Sequence, residues 1–201
     1  MGANDPDTAA DLAERRGETY EYYEAAEDSA VLAGAAAEDL AESGVATVLD
    51  VGTGSGYVGA RLREATGARV VGVDVNPAAC RRALENGVES VRGDLVAPFA
   101  DDAFDAVAFN PPYLPASAEA EWDDWFEVAV TGGETGRELV ERFLEAVGRV
   151  LRTGGAVYLL VSSLTGVDAV VEHAAAQGFS AAALTDATYP GETLTALKLV
   201  R

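Results

Sequence analysis

The run Asn110-Pro111-Pro112-Tyr113 joins residue types that can hold a planar nitrogen group. Proline fixes the backbone and removes a donor while keeping its carbonyl acceptor. The side-chain carbonyl of Asn110 and the main-chain carbonyl of Pro111 can accept the two hydrogens of one NH2 group, and Tyr113 can stack on the group that carries it. The nitrogen lone pair then faces an electrophile. An amide nitrogen is a poor nucleophile because its lone pair is delocalised. Positioning, and acceptors that weaken the delocalisation, are what catalysis has to supply. No strong general base is obvious in the loop. Its chemistry is open to a side-chain amide and to an exocyclic amine of adenine or guanine alike, and the same residues could form a plain rigid turn.

A second group of residues could bind a nucleoside. Gly52-Thr53-Gly54-Ser55-Gly56 follows an apolar run and opens a helical one, and glycines there let backbone approach a ligand closely. Alone, such a turn fits a dinucleotide site or a tight connection. It is not a phosphate-binding P-loop, because no Lys-Ser/Thr follows. Asp74 ends the next apolar run, where a carboxylate accepts from ribose hydroxyls. Asp94, in Gly93-Asp94-Leu95, ends the third and could accept from an adenine amine, with Leu95 beside the ring. Each acid alone is an ordinary strand-end residue. Asp50, Asp74 and Asp94 at successive strand ends point together to a bound nucleoside. S-adenosylmethionine adds an ammonium and a sulfonium to its ribose and adenine, and carboxylates suit that mostly cationic molecule better than a pyrophosphate.

The elements that position these residues alternate along the chain. Strands are expected over 46–51, 69–74, 88–92, 104–109 and 156–162, and helices over 57–66, 77–85, 134–151 and 166–177. Thr153-Gly154-Gly155 reads as a turn between the 134–151 helix and the following strand. Runs over 179–188 and 193–200, joined by Tyr189-Pro190-Gly191-Glu192, read as an antiparallel hairpin. An Ala-rich helix over 29–43 precedes them, with Asp28 or Ser29 as its cap and Gly44 as its stop. Residues 8–18 could form a loose helix. The expectation is one α/β domain over 1–201, with residues 1–20 flexible: a Rossmann-like, seven-stranded, mostly parallel sheet with helices on both faces and a C-terminal antiparallel hairpin. Such a sheet binds ligands at its C-terminal strand ends, near the reversal of strand order. Asp50–Gly56, Asp74, Asp94 and Asn110 all fall there.

Composition narrows the classes. The chain has 201 residues and 49% apolar content, enough for one core. It has no apolar run of membrane-spanning length and no signal-peptide pattern, which reads as cytoplasmic. One cysteine (Cys80) and one histidine (His173) exclude an internal disulfide, a Ser-His-Asp triad and a Cys- or His-based metal centre. Net charge is −20, from 34 acidic and 14 basic residues, and Lys198 is the only lysine. The acid is spread along the chain, which we read as halophilic adaptation in preference to an acidic face for a basic partner. No basic track for nucleic acid is visible.

Four stretches resemble the class I methyltransferases, and among them the HemK-type glutamine N5-methyltransferases: VLDVGTGSGYVG (48–59), VVGVDVNPAAC (70–80), RGDLVAPF (92–99) and AFNPPYLP (108–115). Tyr23–Ser29 and the Gly-Gly-x-x-Gly-Arg-Glu at 132–138 are similar to the short archaeal and eukaryotic branch, which lacks the helical N-terminal domain of the bacterial enzymes. Ala25 stands where that branch often has Pro. The resemblance implies methyl transfer from S-adenosylmethionine to the glutamine amide of a Gly-Gly-Gln loop in a class I release factor. It implies that Ser29, Asp50, Gly52, Gly54, Gly56, Asp74, Asp94, Leu95 and Asn110 line the cofactor, with Asn110, Pro111, Pro112 and Tyr113 at the acceptor. It also implies a heterodimer with a small zinc-binding activator subunit.

Other residues read more plainly. Trp122, Trp125 and Phe126 fit a helix packed into the core or a flap over the substrate. Cys80 fits the core, and Arg81, Arg82 and His173 fit solvated helix surface. Arg137 could close a salt bridge or anchor the acceptor side.

Overall fold

The computed structural model describes residues 27–112 and 136–201. Its helices are α1 (Glu27–Leu40), α2 (Tyr57–Thr66), α3 (Pro77–Glu85), α4 (Glu138–Val150) and α5 (Val167–Ala176). Its strands are β1 (Thr47–Val51), β2 (Arg69–Asp74), β3 (Glu89–Arg92), β4 (Phe104–Phe109), β5 (Leu151–Ser162), β6 (Ser180–Tyr189) and β7 (Glu192–Val200). The seven strands form one sheet in the order β3-β2-β1-β4-β5-β7-β6. The first five pair in parallel and β7 runs antiparallel between β5 and β6. The expected fold class is what the structure has.

Strand order reverses between β1 and β4, which opens a crevice at their C-terminal ends. Both faces of the sheet are covered. On one, Leu49, Val107, Phe109 and Leu159 pack against Phe143, Leu144 and Val147 of α4 and Val170 of α5. The Phe109 and Phe143 rings lie 4.6 Å apart. On the other, Val48, Ala106, Ala108, Tyr158 and Leu160 pack against Leu32, Ala36 and Leu40 of α1, Leu62 of α2 and Ala83 of α3. Small Ala106 and Ala108 of β4 belong to this same buried layer.

Several boundaries differ from expectation. Helix α1 stops at Leu40, short of 43, because Ser43 caps its end: the backbone N–H and the hydroxyl of Ser43 both donate to the Leu40 carbonyl, at 3.0 and 2.7 Å. Gly44 then takes the left-handed conformation, φ 71°. Asp28 and Ser29 lie inside the first turn and not before it, so neither is the cap. Helix α4 starts at Glu138 and not 134; Gly136 at φ 74° cannot continue a right-handed helix backwards. The 153–155 segment is not a free turn. β5 begins at Leu151 and carries it as an irregularity, where the register against β4 shifts between Phe104 and Ala106. A Cβ on Gly155 would lie 2.9 Å from the carbonyl oxygens of Arg152 and Asp105, so glycine is required in that bulge.

Cys80 is buried as expected. His173 is not free surface: it is partly buried where α5 meets α4, with Nε2 3.8 Å from Glu145. No helix among the described residues is long and apolar enough to cross a membrane, and none of their His, Cys, Asp and Glu residues cluster as a metal site. The readings made for residues 1–20, Tyr23–Ala26, Tyr113, the Trp122–Phe126 segment and residues 131–135 lie outside the described residues.

Candidate active site

The Gly-rich turn is held from below by Asp50. Its carboxylate, 2% exposed, accepts from the Thr53 hydroxyl at 2.7 Å and the Gly59 amide at 3.0 Å through the same oxygen. Burial dominates its titration and pushes the carboxyl up to about 7, against the two hydrogen bonds. Asp50 therefore braces the turn from inside. Thr53 is a second brace: its N–H donates to the Val73 carbonyl at 3.0 Å, and its side chain fills the space over Gly72. A Cβ on Gly72 would lie 2.7 Å from the Thr53 hydroxyl oxygen. Gly52, Gly54 and Gly56 all have positive φ, at 60°, 52° and 81°. Gly56 is also the close-packing point of the turn, since a Cβ there would lie 3.0 Å from the backbone of Ala83 in α3.

Asp74 ends β2 beside this turn. Its oxygens accept from the Gly54 amide at 3.1 Å and the Asn76 amide at 2.8 Å. Burial raises its pKa above the usual carboxylate range despite those donors. Asn76 caps α3 by accepting from the Ala78 amide at 2.8 Å, with Pro77 in the first helical turn. The Asn86 side chain ties the end of α3 to the Ser55 carbonyl at 2.7 Å. The Gly-rich turn is thus clamped between β1, β2 and α3.

The third strand-end acid behaves differently. Asp94 is more than half exposed, and its carboxylate meets Arg142 of α4 at 2.6 Å. Next to it, Leu95 sits at φ 47°, a region that is costly for a residue with a Cβ. Gly93 donates to the Asp74 carbonyl at 3.0 Å, which brings this turn up to the end of β2.

Asn110 follows β4 on the other side of the reversal point. Phe109 pairs with Val51, so Asn110 emerges level with Gly52. Its Nδ2 donates to the Ser29 hydroxyl of α1 at 3.2 Å. Its Oδ1 is buried and has no hydrogen-bond partner among the described residues. A buried acceptor left unmatched is costly, which marks it as a place for a ligand donor. Pro111 is buried and Pro112 partly so. The structure brings Ser29, the 52–56 turn, Asp74 and Asn110 to one crevice. Asp50 lies beneath it, and Asp94 lies at the surface. Arg137 closes a salt bridge, lying 3.7 Å from Glu141, and its guanidinium also donates to the Thr165 carbonyl between β5 and α5 at 3.0 Å.

Comparison with known proteins fits this geometry. Residues 48–133 match the family model of a methyltransferase domain. Over 166 residues the chain is 34% identical to the putative protein N5-glutamine methyltransferase of Methanocaldococcus jannaschii, covering 79% of this chain and 81% of that one. It is 30% identical to methyltransferase HEMK2 of Homo sapiens, over 92% of each. The chain belongs to the HemK-type N5-glutamine methyltransferase family. A solved structure of the same kind, Mtq2 of E. cuniculi in complex with Trm112, responsible for methylation of the eRF1 termination factor, superposes with a TM-score of 0.72. It has 31% identity and covers 90% of this chain and 99% of that one. The methyl donor of the family is S-adenosylmethionine.

Sequence reasoning missed Thr53, Gly72, Asn76 and Arg142 as contributors. Asn76 was legible, since Asn-Pro before an apolar helix is a cap signature. Thr53 was also legible, as a hydroxyl three residues after a buried Asp. Gly72 and Arg142 carry no local signal, because their partners are distant in sequence.

Proposed function

We propose that this chain transfers a methyl group from S-adenosylmethionine to the side-chain amide nitrogen of the glutamine in the Gly-Gly-Gln loop of a class I release factor. The observation that carries the reading is the buried, unmatched Oδ1 of Asn110 at the mouth of a nucleoside-type crevice. The relatives' own names and the eRF1 methylation ascribed to the Mtq2 complex supply the acceptor.

The residues present fit the donor. The left-handed φ values of Gly52, Gly54 and Gly56 suit bare backbone for that side of the crevice. Asp74 would accept from ribose hydroxyls, its burial favouring a partner that offers hydrogens. Asp94 would reach the adenine amine by leaving Arg142, with strained Leu95 set against the ring. When bound, S-adenosylmethionine supplies an electrophilic methyl carbon on a sulfonium. The chain's own residues position the acceptor. Asn110 Oδ1 accepts one hydrogen of the glutamine NH2 and the Pro111 carbonyl accepts the other. Both bonds concentrate electron density on nitrogen and fix its lone pair on the line of transfer. The proton that the methylated nitrogen loses leaves to solvent or through the same acceptors.

We further propose that the enzyme works as a heterodimer with a small zinc-binding activator, in a cytoplasm of high salt. The β3 edge is the docking surface we assign to that subunit. β3 ends the sheet, and its exposed Val91 and the exposed Leu84 of α3 are two of the four large apolar side chains left uncovered among the described residues. Nucleic acid is not the expected substrate. Arg61, Arg69, Arg82, Arg142, Arg149 and Arg152 each pair with a carboxylate, which leaves little free positive surface among the described residues.

The test is transfer of labelled methyl in high salt with the activator present, using release factor, release factor with the glutamine replaced, and RNA. Label on the intact release factor alone is expected. Label on RNA alone would end the reading.

A further inference from the structure

The proposed mechanism asks Asn110 to hold one oxygen in one place, yet an asparagine side chain at the end of a strand has two rotatable bonds. Something must fix it. Alternation along β4 puts Ala106, Ala108 and Asn110 on the face that α1 covers. Ser29, 3% exposed in the first turn of α1, meets Asn110 there, its Oγ accepting from Nδ2 at 3.2 Å. Since Nδ2 and Oδ1 lie on opposite arms of one planar amide, holding the first aims the second. The helix that carries Ser29 is itself pinned. Leu32, Ala36 and Leu40 are buried along it, and near its far end Asp39 accepts from the Tyr158 hydroxyl at 2.5 Å and from Lys198 at 2.6 Å. The only lysine of the chain is spent on that anchor.

We propose that Ser29 is a positioning residue for methyl transfer, acting through the amide plane of Asn110. The inference rests on the reading that Asn110 binds the acceptor nitrogen, and it adds a role that cofactor contact alone does not require. Ser29 lies 81 residues from Asn110 in the chain, so only the packing of α1 on the sheet creates the pair. A lining residue for the donor acts on donor affinity. A residue that aims Asn110 acts on turnover even when the donor is saturating.

The full chain with its activator, in high salt, is assayed as wild type, Ser29→Ala, Ser29→Cys and Ser29→Thr. Turnover, KM for release factor and Kd for S-adenosylmethionine are measured, along with hydrogen exchange of the Asn110 side-chain NH2 by 15N NMR. Expected for Ser29→Ala is a fall in kcat, at saturating S-adenosylmethionine, of about tenfold to a hundredfold, with KM for release factor within about twofold. Faster exchange of the Asn110 amide accompanies it. Ser29→Thr restores both, because the hydroxyl is back. Ser29→Cys keeps the size of serine with a weak acceptor and follows Ser29→Ala, which separates positioning from packing if the alanine variant folds poorly. Loss of donor affinity with kcat unchanged would overturn the proposal, as would an unaltered exchange rate of the Asn110 amide. If wild type methylates no release factor, the acceptor assignment fails while the exchange measurement still decides the role of Ser29.

Discussion

Replacing Asp50 by asparagine should invert its effect on stability with pH. Asp50 is buried beneath the cofactor turn, and its carboxyl is lifted from 3.8 to about 7, chiefly by desolvation. Between these values the folded chain keeps a proton that the unfolded chain has lost. Folding stability therefore falls as pH rises through that window and levels off above it. At ~1.4 kcal/mol per pH unit the window is worth roughly 4 kcal/mol, an upper bound. The amide of Asp50→Asn cannot ionise. Its oxygen can still accept from Thr53 and Gly59, but its NH2 is buried without an acceptor, which costs about 1–3 kcal/mol. The variant should be less stable than wild type near pH 4 and more stable near pH 8. Urea unfolding in molar KCl, which screens the overall charge of −20, reads the difference directly. A wild-type minus variant difference that stays constant with pH, or that grows in favour of wild type, would refute the view that Asp50 is an internal brace held near neutrality.

Gly72→Ala puts a Cβ within 2.8 Å of both the Thr53 oxygen and its Cβ, so the turn has to shift. Destabilisation of about 1–3 kcal/mol is expected, with weaker donor binding by calorimetry, and Thr53→Gly in the same chain should recover part of it. Asp105 titrates on the opposite side of the pH scale. Burial alone would raise its carboxyl, but donors from Arg152, Thr47 and Ala46 outweigh it and hold it at about 2. Its contribution is present above the ordinary carboxylate range and is lost as pH falls through 2, so Asp105→Ala should lower neutral-pH stability by about 2 kcal/mol and flatten the acid limb of the unfolding curve. Melting temperature should climb between low and molar KCl, as screening relieves carboxylate repulsion. An unchanged value would contradict halophilic adaptation.

What could be read in the sequence divides along a physical line. β1, β2 and β4 were legible because both faces of a central parallel strand are buried, which leaves an unbroken apolar run. The Gly-rich turn and Asn110 were legible because glycine and proline act on the local backbone. The place of β7 between β5 and β6 was not, since hairpin pairing says nothing about which strand faces inward. The bulge at 151–155 was misread because Gly154 and Gly155 look the same in a turn and in a bulge. The fates of the three acids diverged for non-local reasons. Asp50 is sealed by Gly59 and Thr53, Asp74 stays at the crevice, and Asp94 is met by an arginine 48 residues on. Nor could Ser29 be placed against Asn110 by any local rule.

The central claim is that Asn110 presents its carbonyl to a glutamine amide. The most direct test compares Asn110→Ala with wild type for methyl incorporation into release factor, with donor affinity measured on the same preparations. The account predicts transfer lost with much of the donor binding retained, and no transfer by wild type once the acceptor glutamine is replaced. Near-normal turnover by Asn110→Ala, or methylation that survives loss of that glutamine, would contradict it.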